Sequence, residues 1–103
     1  MDDIIRGTGL KFNLHIESLE GLSMEDYDFS VQAYCGQKRK SYIVDKADCY
    51  KEDADNYIVE VDTTRLDLGQ LMIDVTAYIP DYQRPDNIRT EILRFDTGLN
   101  IIQ

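Results

Sequence analysis

Apolar and polar residues alternate along most of this chain. In LKFNLHI (10–16), Leu10, Phe12, Leu14 and Ile16 share one face and Lys11, Asn13 and His15 the other. FSVQAYC (29–35) sets Phe29, Val31, Ala33 and Cys35 against Ser30, Gln32 and Tyr34. YIVEVDT (57–63) turns Tyr57, Val59 and Val61 inward and Glu60 and Asp62 outward. LMIDVTAYI (71–79) alternates Leu71, Ile73, Val75, Ala77 and Ile79 with Met72, Asp74, Thr76 and Tyr78. TEILRFD (90–96) is less clean, with Leu93 and Phe95 on one face and Ile92 and Arg94 on the other. A period of two over five to nine residues marks half-buried antiparallel strands. SYIV (41–44) adds a short strand.

Turn residues fill the gaps: GTG before the first strand, CGQK after the second, DADN before the strand at 57–63 and LDLGQ before 71–79. Glycine, asparagine and aspartate supply the backbone angles such turns need. Leu66 and Leu68 are expected to fold under the sheets. The stretch 17–26 holds one short helical turn at most, because Gly21 and its length argue against more. The pattern predicts one domain over 1–103, an all-β, immunoglobulin-like two-sheet antiparallel β-sandwich of about seven strands.

Composition narrows the partners. The 103 residues carry 11 basic and 20 acidic side chains, a formal charge of −9. Phosphate binding needs a concentrated positive footprint, so nucleic acid is not expected. The one basic run, Lys38, Arg39 and Lys40, reads as a solvated turn. The longest apolar runs are far short of the ~20 residues that cross a bilayer, and the acidic start has no secretory signal character. The expectation is a soluble chain, cytoplasmic when made and then carried in an assembly. Cys35 and Cys49 are expected as reduced thiols, Cys35 buried and Cys49 more exposed.

Catalytic chemistry finds little support. His15 is the single histidine and lies on the polar face of its strand, a plain surface position. One histidine and two unrelated cysteines do not make a zinc site. Phosphate-binding glycine loops and nucleophile elbows are missing. No enzyme and no cofactor is expected. Two acidic clusters remain, Glu25, Asp26 and Asp28, and Asp45, Asp48, Glu52, Asp53 and Asp55. Without the ligand order of a calcium loop they read as solvated loops. Tyr27, Tyr34, Tyr50, Tyr78 and Tyr82 fall on outward or loop positions, suited either to recognition or to cross-strand pairing.

The motifs of the second half carry a resemblance. Asp26 to Phe29, Tyr57 to Asp62, Leu66 to Gly69, Ile79 to Asp81, Pro85 to Glu91 and Asp96 to Gly98 follow one another in order. Together they resemble small β domains of phage and prophage proteins of gut Bacteroides, similar to the N-terminal domain of siphophage upper baseplate proteins. The resemblance covers about three quarters of the chain. It implies a virion structural role in a baseplate, tail or fibre attachment, acting through other virion proteins or further copies of itself. A carbohydrate-binding or adhesion domain is the alternative. The 80–89 loop combines Pro80 and Pro85 with Tyr82, Arg84 and Arg89. Prolines stiffen the backbone and arginine forks pair with carboxylates. Tyr82, Arg84, Arg89 and Tyr78 are therefore the candidate interface, with a stiff connector as the plain alternative.

Overall fold

The computed structural model describes residues 2–17, 20–36 and 41–103. Its eight strands are β1 (Asp2–Ile5), β2 (Gly9–His15), β3 (Asp28–Cys35), β4 (Ser41–Asp45), β5 (Tyr50–Asp53), β6 (Asn56–Asp62), β7 (Gly69–Pro80) and β8 (Ile88–Ile102). Among the described residues there is no α-helix, only 3-10 turns at Met24–Asp26, Lys46–Asp48 and Thr63–Arg65. A five-stranded sheet in the order β1-β8-β7-β3-β4 packs on a three-stranded sheet in the order β2-β6-β5. The fold is an all-β sandwich. The basic run 38–40 lies outside the described residues.

The structure departs from the sequence reading in two strands. β1 runs parallel to the end of β8, with Asp2 opposite Leu99, so the larger sheet is not wholly antiparallel. Its four residues were too few to show a period. β5 forms in the acidic stretch that reads as a loop, because Tyr50 and Lys51 find cross-strand partners in Ile58 and Tyr57. Pairing with a well-patterned neighbour overrides weak local propensity.

The alternating apolar residues meet between the sheets. Phe29, Val31 and Ala33 of β3 and Leu71, Val75, Ala77 and Ile79 of β7 are buried, as are Tyr57, Val59 and Val61 of β6. Each of the larger ones, such as Phe29 or Leu71, contributes ~1.5–3 kcal/mol by leaving water. Phe29 and Tyr57 pack edge to face, with ring centroids 5.2 Å apart. Met24 and Leu66, from the turns, seal the ends and are fully buried. Leu68 departs from expectation and stays exposed. Cys35 is buried and Cys49 partly so, both as free thiols whose pKa burial raises.

Thr97, Gly98 and Leu99 form a bulge. Gln70 faces Asn100 while Met72 faces Asp96, so Thr97, Gly98 and Leu99 stand against Leu71 alone. Gly98 takes φ 73°, its N–H donates to Asp96 Oδ1 at 2.9 Å, and Thr97 Oγ1 donates to the Leu71 carbonyl at 2.8 Å. Bulges bend and twist the strand that carries the extra residues. Beyond the bend, β8 takes up β1, and the chain crosses from β1 to β2 in the other sheet. Buried Thr63 fastens that crossing: its hydroxyl donates to the Thr8 carbonyl at 2.7 Å and accepts from Gly7 N–H at 2.8 Å.

The opposite side is closed by β4, the Lys46–Asp48 turn and β5. Lys46 reaches inward there, donating from Nζ to the carbonyls of Tyr27 at 2.7 Å, Met24 at 3.1 Å and Glu25 at 3.2 Å. Its ammonium stands 5.7 and 5.8 Å from the ring centres of Phe29 and Tyr57. One cation thus satisfies three carbonyls and gains two aromatic faces.

Candidate interface on the outer sheet face and hairpin

The β7–β8 hairpin is the longest ladder in the molecule and ends at Pro80 opposite Ile88. Its loop is tied to itself. Asp81 N–H donates to the Asn87 carbonyl at 2.8 Å, Gln83 N–H to Asp81 Oδ1 at 3.0 Å, and Asn87 N–H to the Arg84 carbonyl at 3.0 Å. Asn87 takes the left-handed conformation, φ 61°, which asparagine tolerates better than most residues. Local side-chain bonds of this kind hold the tip in one shape.

Strand register sorts the expected interface residues. Tyr78 pairs with Thr90, and the period of two places Tyr78, Ile88 and Ile92 together on the outer face of the five-stranded sheet. Tyr78 is 37% exposed, Ile92 63% and Tyr82, at the tip, 87%. Arg84 is also at the tip, 3.8 Å from Asp81. Arg89 is not with them. It pairs with buried Ile79 and so points to the opposite side of the sheet, where its guanidinium meets Glu20 at 2.9 Å and Glu91 at 3.5 Å. The structure leaves Tyr82 and Arg84 at the tip and Tyr78 on the outer sheet face, holds Arg89 in an ion pair with Glu20, and adds Ile88 and Ile92 on the face of Tyr78.

A buried polar network braces this face. Asp74 is 3% exposed although it faces outward. Arg94 grips it with Nε to Oδ1 at 3.0 Å and Nη2 to Oδ2 at 3.2 Å, and Tyr34 Oη donates to Oδ1 at 3.0 Å. The Asp74 carboxylate raises the Arg94 pKa, chiefly through that hydrogen bond. Gln32, Asp74 and Arg94 are cross-strand neighbours. Sequence alone gave the strands but not the pairing that places them side by side.

The tyrosines do not form one platform. Tyr34 keeps the outward side that alternation gives it, opposite Met72, and Tyr27 its loop position, yet each is only 4% exposed. Tyr34 is covered while satisfying Asp74. Tyr27 packs into the core 6.4 Å from Phe29, and its hydroxyl has no hydrogen-bond partner. Burial raises its pKa. Tyr50 is exposed but pairs with Ile58 on the outer side of the other sheet, across the molecule from Tyr78.

His15 sits on the surface, its Nδ1–H donating to the Asp55 carbonyl at 2.9 Å. Several of the acidic residues are engaged locally. Asp26 accepts from Ser23 N–H, Asp53 from Asp55 N–H and the Asn56 amide, and Glu25 pairs with Lys51 at 2.7 Å. Hydrogen bonds from Ser23 and from Asn56 hold the Asp26 and Asp53 carboxyls below the usual range. Among the described residues, no group of three or more histidine, cysteine or acidic side chains is placed to hold a metal ion. Among them, too, no helix is long and apolar enough to cross a membrane.

No family model matches this chain, and no curated protein and no solved structure matches it either. The resemblance to baseplate domains rests on the residue motifs alone.

Proposed function

We propose that this chain is a non-enzymatic assembly module of a phage or prophage virion, docking neighbouring proteins through the outer face of the β7–β8 hairpin. The observation that carries the reading is the exposed group Tyr78, Ile88 and Ile92, continued by Tyr82 at a stiff tip. Exposed apolar side chains gathered on one face mark contact surfaces more than scattered ones do. A preformed loop also loses little entropy on docking. The strand order supports an immunoglobulin-like assignment: β2, β6 and β5 take the places of strands B, E and D, and β8, β7, β3 and β4 those of G, F, C and C′.

The test is to purify particles from an induced lysogen that encodes the chain and to probe them for it. The chain is expected in intact particles in wild type and lost from them with Ile92→Asp or Tyr82→Ala. Its absence from wild-type particles overturns the virion role, and full incorporation of both variants overturns the surface. Carbohydrate binding is favoured by one feature, the 71% exposed Tyr50 beside Asn13, Lys11, Asp48 and Glu60 in a shallow concavity. A glycan array with wild type and Tyr50→Ala decides it.

A further inference from the structure

One long side of the sandwich is open. Among the described residues no strand pairs with the outer edge of β2, and β1 covers β8 only from Leu99 to Ile102. Between these edges lies a cleft of about 170 Å³ lined by Phe12, Leu14 and Val59 from one sheet and Ile73, Phe95 and Thr97 from the other. Phe95 belongs to the inner face, opposite Ile73, yet remains 37% exposed. An unpaired strand edge beside uncovered apolar side chains matches the two needs of an extended peptide, main-chain hydrogen bonds and a side-chain pocket.

We propose that this seam accepts an extended segment of a second, basic polypeptide, which pairs with the edge of β2 and drops one bulky apolar side chain between the sheets. The cleft is close in size to the ~150 Å³ apolar cavity that holds one benzene ring. Charge selects the occupant. Another copy would bring a further −9 against the −9 already present, and like charge opposes association. On β2, Lys11 is already 3.4 Å from Glu60, which leaves the net acidic charge of the chain to set the field. A segment alternating lysine or arginine with apolar residues is complementary to both the backbone edge and the field. The proposal rests on the assembly reading only in taking a protein as occupant, and it uses none of Tyr78, Tyr82, Ile88 and Ile92.

The probe is a blocked seven-residue peptide, lysine alternating with valine around a central phenylalanine, matched to the length of β2. Labelled peptide is titrated with the protein, and amide exchange locates the contact. Expected are binding at about 10 µM to 100 µM and at least about tenfold slower exchange within β2. Replacing the lysines by glutamate should weaken binding by about tenfold or more. Phe95→Glu should abolish it; Phe95→Ala, a milder change at a half-open site, should weaken it about tenfold and covers the case in which the charged variant fails to fold. No binding at about 1 mM, protection confined to β4 or β5, equal binding of the acidic peptide, or self-association through β2 without peptide each overturns the proposal. Tyr82→Ala should bind the peptide as wild type does. If it does so while remaining fully competent in particle assembly, the hairpin reading fails and the seam stands.

Discussion

The two long sides of the sandwich are built by the same device and finished differently. On each, the chain crosses from one sheet to the other, between β4 and β5 on one side and between β1 and β2 on the other. The first crossing is backed by Lys46, which ties three carbonyls and two rings to the closing turn. The second is fastened by Thr63, but four-residue β1 reaches only the far end of fifteen-residue β8. Closure thus depends on how far a crossing strand runs beside its neighbour. The side left open is where inner-face residues such as Phe95 stay wet.

The strongest test places the same substitution on both sides. Phe29→Ala, against the closed side, should cost about 3–5 kcal/mol. Phe95→Ala, in the half-open seam, should cost about 1–2 kcal/mol because the ring is only partly withdrawn from water. Urea denaturation measures both, and equal losses would erase the distinction. Lys46→Met comes next. It keeps most of the stem but strips three carbonyls of their donor, with an expected loss of about 1–3 kcal/mol and earlier amide exchange at β4 and β5 than at β2.

Acid gives a smaller and spread-out effect. Hydrogen bonds from Ser23, Asn56, Thr64 and Gln70 lower the pKa of Asp26, Asp53, Asp62 and Asp96, in that order. Groups depressed in the folded state bind protons more readily when unfolded. Their stabilisation is therefore full above the ordinary aspartate pKa of ~3.9 and fades as pH falls toward the folded values. Melting temperature should decline from about pH 5 to pH 2, and Asp96→Asn should remove part of that slope without altering the closed side. The smallest effect belongs to the hairpin tip. Tyr82→Ala should change stability by less than about 0.5 kcal/mol, as exposed positions do, so that any lost assembly reports contact alone.

Much of the sandwich was legible in the residues. The faces of β3, β6 and β7 follow from alternation alone, and so does the burial of Cys35. Asp74 shows the limit. Its outward position could be read, but its burial could not, since that depends on Tyr34 and Arg94 arriving from two other strands. The side on which Arg89 lies shows the same limit. Loop chemistry grouped it with Tyr82 and Arg84, whereas register with Ile79 turns it to the other side. β1 and β5 are short strands made by their partners. Alternation reports which way a side chain points along one strand; which neighbours then cover it is decided by pairing, and pairing is long-range.

The parallel match of β1 with β8 bears on how the chain assembles during synthesis. Asp2 pairs with Leu99, so β1 waits for a partner made 97 residues later. At ribosomal rates that interval is roughly 5–20 s. The three-stranded sheet, with all its strands between Gly9 and Asp62, is complete in sequence before β7 and β8 are. The β1–β8 contact, spanning almost a hundred residues, is thus the longest-range pairing among the described strands, of the kind that is slowest to form.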